Sequence, residues 1–177
     1  MPKIVVSRYI VLGVFTFMTL TAGNVRFTNL KCDSLDPKFS IVEKCNLKLI
    51  RRGVVGLNIT VKLLQIPVTN VSISLSFFKK SNGYQPYFYN TSADFCNFLK
   101  NRQKYPILQI VANYMLRNTN INHTCPFDHD IIAENLVLDK NIFKLLPFAV
   151  GDYMMRLMVS AYNDLKCEIK YYLSIYN

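Results

Sequence analysis

The chain has 177 residues, with 21 Lys and Arg against 11 Asp and Glu, a formal net charge of +10, and five cysteines. This balance favours acidic partners such as anionic lipid head groups, but the charges are scattered rather than gathered into one patch. The sequence has no Gly-Xaa-Ser-Xaa-Gly elbow, no glycine loop for phosphate and no His-Glu-Xaa-Xaa-His element, so we expect neither an enzyme nor a cofactor.

The N-terminal residues predict export. Two basic residues precede an uncharged, largely apolar run over residues 9–20, and residues 21–23 are small, as at a cleavage site. A span of the hydrocarbon core needs about 20 residues, so we interpret residues 1–23 as a cleaved signal peptide; a signal anchor or a buried strand is the alternative. We expect residues 24–177 to form one secreted domain without a membrane span. Exported proteins rarely meet nucleic acid, so that partner is not expected.

Cysteines and sequons agree with export. An odd number of cysteines in an oxidising compartment implies disulfides and one thiol left over, and no two cysteines have the close spacing of zinc ligands. Several Asn-Xaa-Ser/Thr sequons have no proline in the middle, and we expect some to carry glycan. These sequons begin at Asn58, Asn70, Asn90 and Asn122.

In chain order, the first predicted strands cover residues 25–30 and 40–50. The clearest alternation follows in Leu57–Leu63 and Val71–Phe77, where apolar residues occupy one parity, which is typical of a strand with one buried face. Because they are consecutive, these two strands are predicted to be antiparallel neighbours. The polar parity of the first places Asn58 on the outer face, where a glycan would not disturb the core.

The pattern changes in the middle of the chain. Residues 81–83 predict a turn into a strand at 84–89, and a helical insertion is predicted over about residues 93–118. Ser92 is expected to cap its first helix, and Pro106 lies in the first turn of its second. The second helix carries an apolar stripe at spacings of three and four residues. The stripe consists of Ile107, Ile110, Val111, Tyr114 and Met115.

A polar loop at 119–130 leads into further strands. They are predicted at 131–138, 142–146, 152–162 and 165–175. On the last strand, Cys167 shares its apolar phase with Leu165, Ile169 and Tyr171, so its thiol is expected to be buried. Eight or nine strands with short turns favour a sandwich over an open sheet, and the fold class expected is therefore mainly β.

Seven segments of the chain resemble a large family of secreted insect proteins. They keep the family's order over essentially the whole mature chain and are FTNLKC (27–32), CNLKLI (45–50), VKLLQIPV (61–68), KSNGYQPYFYNTS (80–92), DFCNFLK (94–100), INHTCPFDHD (121–130) and LPFAVGDYM (146–154). The family is catalogued as domain of unknown function 1091 and is grouped with CheA/CheB-type chemosensory proteins. The resemblance implies the ML lipid-recognition fold of the ganglioside activator and the secreted Niemann-Pick sterol carrier. That fold is an immunoglobulin-like antiparallel β-sandwich that holds a lipid between its sheets.

The resemblance also bears on the cysteines. The four that are usual in the family fall on Cys32, Cys45, Cys96 and Cys125, which leaves Cys167 as an additional, buried free thiol. We predict the sequence-local pairing, Cys32 with Cys45 and Cys96 with Cys125. These bonds close loops of about 13 and about 29 residues, each contributing on the order of 3 kcal/mol in the chain-entropy model. The family supplies no agreed ligand-binding motif to transfer.

One cluster gathers reactive side chains, namely His123, Cys125, Asp128, His129 and Asp130. A zinc site needs three or four convergent ligands, and a Cys–His nucleophile needs a free thiol. An oxidised Cys125 can serve neither purpose, and short acidic side chains beside a proline are typical of an ordinary turn. We therefore favour a structural role over a metal or catalytic one, and no metal site is expected.

We expect the protein to bind a hydrophobic small molecule, such as a lipid or hydrocarbon, in a chemosensory or other extracellular fluid. The apolar faces of Leu57–Leu63 and Val71–Phe77 would look across a gap wide enough for an acyl chain, and we expect an enclosed apolar cavity on the order of several hundred Å³ there. The alternative is a secreted glycoprotein module that docks a receptor or another secreted protein without a ligand. The ligand-contacting residues predicted are Leu57, Ile59, Val61, Leu63, Val71, Ile73, Leu75 and Phe77.

Overall fold

The structure, a computed structural model, describes residues 24–139, 141–142, 146 and 148–176. The expected signal peptide, residues 1–23, lies outside the described residues, as does most of the strand expected at 142–146. The two described residues of that segment, Ile142 and Leu146, are not in a strand. Asp139 turns the chain there, because its side chain accepts from the amide of Asn141 at 2.9 Å and its carbonyl accepts from the amide of Ile142 at 3.1 Å.

The described chain is mainly β. Its elements are β1 (Asn24–Ser34), β2 (Ser40–Arg51), β3 (Val54–Leu63), β4 (Val71–Ser81), β5 (Gly83–Asp94), α1 (Phe95–Lys100), α2 (Pro106–Met115), β6 (Ile131–Val137), β7 (Gly151–Ala161) and β8 (Asp164–Tyr176). The strands form two antiparallel sheets, one with the order β1-β8-β7-β4-β5 and one with the order β2-β3-β6. The mainly β, sandwich-like architecture is therefore confirmed, and no helix in the described ranges is long and apolar enough to cross a membrane.

Strands β3 and β4 are not neighbours, so that prediction is wrong. β3 pairs with β2 and β6, whereas β4 pairs with β5 and β7. Residues 64–70 carry the chain from one sheet to the other, so the buried faces of the two strands look toward each other. An alternating pattern indicates that a strand buries one face. The pattern is the same whether two strands pair within one sheet or face each other from two sheets.

The predicted turn and the last strands have the expected positions, with one difference in register. Gly83, at φ +93°, joins β4 to β5 opposite Ser81, and positive φ favours glycine. In the β7–β8 hairpin a bulge shifts the register between Val159 and Ser160. This shift turns Leu165 outward, to 37% exposure, while Cys167 stays buried. Leu165 therefore does not share the apolar phase of its strand, contrary to the sequence prediction.

The helical insertion lies where it was predicted, but its cap and its buried face differ. Asp94 caps α1 by accepting from the amide of Asn97 at 2.8 Å; Ser92 does not, because β5 continues to Asp94 and the helix begins only at Phe95. On α2 the buried residues are Leu108, Val111 and Ala112. Of the predicted stripe, only Val111 is fully buried, so the helix is rotated toward a neighbouring face. The remaining stripe residues, Ile107, Ile110, Tyr114 and Met115, are half-buried.

The two edges of the sandwich are closed differently. At one edge β1 and β2 lie side by side, and the disulfide Cys32–Cys45, with Cα atoms 6.1 Å apart, links the sheets. At the other edge α1 packs on β4 and β5, and the segment after α2 bridges to β6 through Thr119 and Ala133. The second disulfide, Cys96–Cys125, ties α1 to this segment. Both predicted pairings are confirmed, and they suit an oxidising compartment.

Candidate ligand-binding cavity

A cavity of about 220 Å³ lies between the two sheets. Strands β3 and β4 form facing walls, β7 and β8 extend the wall of the five-stranded sheet, and α1 and α2 close the edge between β5 and β6. Nearly all the lining side chains are apolar. Protein interiors hold few voids larger than a water molecule, so this cavity is the feature of the fold that most resembles a binding site.

The structure brings most of the predicted contact residues together in this cavity. They reach it from opposite sides, because β3 and β4 belong to different sheets. The predicted contact residues on β3 are buried except Leu63, which is half-buried. The predicted residues that line the cavity are Leu57, Ile59, Val61, Leu63, Val71, Ile73 and Leu75.

Phe77 is the predicted contact residue that does not line the cavity. It is 5% exposed, and its ring lies 5.4 Å from the ring of Phe148 and 6.4 Å from that of Phe88. Phe148 in turn packs edge-on against Tyr153, with ring centroids 4.8 Å apart. Aromatic rings of this size fill space efficiently, so this end of the sandwich is packed and the cavity ends before Phe77.

The sequence prediction missed the contribution of the helical insertion. Phe95 and Phe98 of α1 and Leu108, Val111 and Met115 of α2 all line the cavity. Phe98 has 0% exposure, and full burial of such a side chain stabilises the fold by about 1.5–3 kcal/mol. The apolar spacing in residues 93–118 was the available signal, but it was interpreted only as a helix and not as a wall of the site.

Strands β7 and β8 also supply lining residues that were not predicted as contacts. Their apolar phases were recognised in the sequence. However, only the sheet order, in which β7 lies next to β4, shows that these faces continue the same wall. The lining residues from these strands include Met155, Leu157, Val159, Ile169 and Tyr171.

The few polar side chains in the cavity wall are unreactive at neutral pH. Ser40 is 2% exposed, and Thr119 donates its hydroxyl to the carbonyl of Leu116 at 3.0 Å. Cys167 is a free, buried thiol, as predicted. Burial, followed by the charges of Asp33 and Glu168, raises its pKa to about 11, so it remains a neutral thiol at physiological pH. Such a wall can hold an apolar molecule but offers no nucleophile.

Lys166 is the one charged side chain in the described lining, and it is paired. Its Nζ lies 2.8 Å from Oδ2 of Asp36 and 3.7 Å from the carboxylate of Asp164. The hydrogen bond to Asp36 raises the pKa of Lys166, and the same bond lowers the pKa of Asp36. The ammonium also lies 5.0 Å from the ring centroid of Phe39, another lining residue. This group therefore closes the cavity where β1 turns into β2.

The prediction that Asn58 is exposed is wrong. Its side chain does point to the outer face of β3, but the residue is only 4% exposed. Its Oδ1 accepts from the amide of Asn135 at 2.9 Å, and its Nδ2 lies 3.4 Å from Oδ1 of Asn46. β3 is the central strand of its sheet, so side chains of both neighbouring strands cover it. The other sequons, at Asn70, Asn90 and Asn122, are exposed, and their glycosylation stays a prediction.

The reactive cluster after α2 is held in structural contacts. Cys125 is oxidised in its disulfide with Cys96, and Oδ1 of Asp130 accepts from the amide of Leu63 at 3.0 Å. Within the described ranges, no group of three or more His, Cys, Asp and Glu side chains converges as metal ligands would. His123 and His129 contact each other, with their Nε2 atoms 2.8 Å apart.

Comparison with known proteins bears on the middle of the chain. No curated protein matches the sequence. Residues 73–155, just under half of the chain, match the family model described as "Protein of unknown function (DUF1091)". This stretch runs from β4 through the helical insertion into β7, and so includes Cys96, Cys125 and both helices that close the cavity. The match supports, over these residues, the family to which the sequence segments pointed.

Proposed function

We propose that this protein is a secreted carrier that binds one slim apolar molecule between its two β-sheets. The observation that supports this most is the apolar cavity of about 220 Å³ between β3 and β4. An engineered apolar cavity of about 150 Å³ binds benzene or xenon, so a cavity of this size and lining has room for a small hydrophobic ligand. Binding would be driven by removal of apolar surface from water, at roughly 25 cal/mol per Å², without covalent chemistry.

The energetics of an empty cavity favour an occupant. A buried cavity costs about 24 cal/mol per Å³ in measured core substitutions, which amounts to about 5 kcal/mol for 220 Å³. Whole domains are stable by only about 5–15 kcal/mol. A ligand that fills the cavity would recover much of that cost, whereas a module without a ligand would gain by closing it.

The cavity volume narrows the class of ligand. It is smaller than the several hundred Å³ expected from the sequence and lies below the roughly 300–1,000 Å³ of common small-molecule sites. The ligand proposed is therefore a linear hydrocarbon, an acyl chain or a single ring rather than a sterol. The polar groups of the wall are few and mostly engaged, so a ligand without a charged head group suits it best.

We also infer that the fold is ML-like, with an immunoglobulin-like sandwich that separates its sheets to admit a lipid. The support is the two-sheet arrangement, the cavity between the sheets and the helical closure of one edge. Export through the secretory pathway, glycosylation and a chemosensory setting are part of the same proposal. The two disulfides fit such a setting.

A second candidate is an interaction module that docks a receptor or another secreted protein. The observation that favours it is the β2–β3 hairpin, where Leu49 is 67% and Ile50 is 40% exposed. Arg51 and Arg52 lie at the same tip. Exposed apolar residues beside arginine are typical of protein interfaces.

Extraction of the purified protein separates the two candidates. The full chain would be produced in a secreting cell, purified without detergent, extracted with organic solvent and examined by mass spectrometry. A carrier should yield an apolar compound near one molecule per chain, and a Leu75→Phe variant prepared in parallel should yield much less. A wild-type protein that yields no apolar compound and takes none up from vesicles would favour the interaction module.

A further inference from the structure

Two imidazoles face each other on the segment that joins α2 to β6. Nε2 of His123 lies 2.8 Å from Nε2 of His129, and both rings contact Phe127, with centroid distances of 5.2 and 6.3 Å. The disulfide Cys96–Cys125 anchors the segment between the two histidines. The pair is therefore held in place rather than brought together by chance on a free loop.

The hydrogen bonds of the other ring nitrogens decide where the protons lie. Nδ1 of His123 is 2.8 Å from the carbonyl of Thr124, and Nδ1 of His129 is 2.9 Å from the carbonyl of Asp130. A carbonyl only accepts, so each of these contacts is a hydrogen bond only in the tautomer that carries its proton on Nδ1. A neutral imidazole with Nδ1 protonated carries a lone pair on Nε2. The two lone pairs would then point at each other across 2.8 Å, which is favourable only with a cation beside them.

Without a cation the pair has another arrangement. The side-chain nitrogen of Asn120 lies 3.0 Å from Nδ1 of His129 and 2.6 Å from the carbonyl of Asp130. If Asn120 donates to Nδ1, His129 carries its proton on Nε2 and donates it to Nε2 of His123. The site can therefore accept a metal ion when the His129 proton moves from Nε2 to Nδ1, a change of tautomer that leaves both imidazoles neutral and releases no proton.

The geometry suits a metal with right-angled ligands. Metal–nitrogen bonds of about 2.0–2.1 Å across a separation of 2.8 Å give an angle near 90° at the metal. A tetrahedral ion such as zinc would need the nitrogens about 3.3 Å apart at the same bond length. Tetragonal sites with nitrogen and oxygen ligands are typical of Cu²⁺ and Ni²⁺. Metal-bound histidines also usually donate the other ring N–H to a carbonyl or carboxylate, and here Nδ1 of each ring has a carbonyl within reach.

We propose that His123 and His129 bind one divalent copper ion through their Nε2 atoms, with water completing the coordination. Among the divalent first-row metals, Cu²⁺ generally binds a given nitrogen site most tightly. The described residues supply no third His, Cys, Asp or Glu ligand at this pair, so the remaining positions would be left to water. This site is separate from the apolar cavity and does not depend on the proposed carrier function.

Copper titration of the tag-free full chain tests the proposal. The sequence contains only these two histidines, so imidazole nitrogens seen by electron paramagnetic resonance can come from no other residues. We expect one equivalent of Cu²⁺, an axial spectrum with two coupled nitrogens, and at least tenfold weaker binding in His123→Gln and in His129→Gln. Asp128→Asn, which changes an exposed neighbour outside the pair, should bind copper as the wild type does.

Three results would overturn the assignment. The first is the absence of saturable copper binding, and the second is retention of the same spectrum by the double variant His123→Gln/His129→Gln. The third is tighter binding of zinc than of copper at this pair. Circular dichroism of each metal-free variant serves as the folding control, because His123 is exposed but His129 is half-buried.

Discussion

The alkylation rate of Cys167 reports whether the cavity wall is exposed to solvent. The residue is 6% exposed and lines the cavity wall, and burial raises its pKa to about 11. At pH 8 only about one thiol in a thousand is then ionised, and the thiolate is the reactive species. We expect alkylation by iodoacetamide to be slower by at least a hundredfold in the folded protein than in denaturant.

The disulfides protect the other four cysteines, so each chain should take up one label. Mass spectrometry of the peptide containing Cys167 follows the reaction, and a Cys167→Ala variant should take up none. Equal rates for folded and denatured protein would show that this strand face is open to solvent.

The Lys166–Asp36 pair predicts a pH-dependent contribution to stability. The pKa of Asp36 is lowered from 3.8, so its contribution is present above that pH and is lost as the pH falls through the folded-state value. The pKa of Lys166 is raised from 10.5, so its contribution is present below that pH and is lost as the pH rises through the folded-state value. An Asp36→Asn variant should therefore melt below the wild type by a constant margin between about pH 5 and pH 9.

That margin should close as the pH falls through the lowered pKa of Asp36, because the protonated Asp36 of the wild type then resembles asparagine. Scanning calorimetry of both proteins across this range measures the margin. If the two melting curves stay equally far apart in acid, the ion pair is not what separates them.

At the scale of single elements, the cap of α1 offers a matched pair of variants. Asp94 accepts from the amide of Asn97 at 2.8 Å, and loss of such a cap costs about 1 kcal/mol. Asp94→Ala should therefore lower the free energy of unfolding by about that amount in a urea titration. Ser92→Ala, two residues away and within β5, should change it by less than about 0.5 kcal/mol. A larger loss of stability in Ser92→Ala than in Asp94→Ala would show that α1 begins closer to Ser92.

The two disulfides should differ in their effect on ligand binding. Replacing Cys96 and Cys125 by alanine releases the helices from the cavity edge, whereas replacing Cys32 and Cys45 frees β1 from β2 while each strand stays paired within its own sheet. The chain-entropy model gives a similar loss of stability for both, about 3.6 and about 2.9 kcal/mol. Only the first double variant should bind a fluorescent apolar probe more weakly, by tenfold or more. A similar loss in both variants would contradict a specific role for the helical edge.

Individual elements were largely predictable because their signals are local. The alternation in Leu57–Leu63 and Val71–Phe77, the turn at Gly83 and the helical insertion all lie where the sequence placed them. The errors arose where pairing with a neighbouring strand determines the role or the exposure of a residue. Strand pairing through Asp94 excludes Ser92 as a cap, and a bulge beyond Val159 turns Leu165 outward. Neither effect is visible in the periodicity of one segment.

At the scale of the whole molecule, assembly of the sheets could not be predicted from the alternating pattern. The pattern showed that β3 and β4 each bury one face, but it did not distinguish pairing from facing. The seven cavity residues found in advance were found because either arrangement buries them. The contribution of α1 and α2, and the packed aromatic end that excludes Phe77, depend on contacts between distant segments.

The central claim is that the space between β3 and β4 holds an apolar ligand. Its most direct test is titration of the delipidated protein with methyl cis-parinarate, a linear fluorescent acyl chain without a charged head group, in the wild type and in Ile73→Phe, Leu75→Phe and Leu49→Phe. The first two variants add volume inside the cavity, while Leu49 is 67% exposed on a hairpin tip and serves as the control. Thermal melting of each variant is recorded alongside.

A binding cavity predicts that the two internal variants lose at least tenfold in probe affinity, while their melting temperatures fall little or rise, because the added ring fills space. The control should bind as the wild type does. A tightly packed core would instead lose about 1–3 kcal/mol on the same substitutions. Destabilisation of that size without any change in probe binding, or a wild type that binds no probe, would contradict the account.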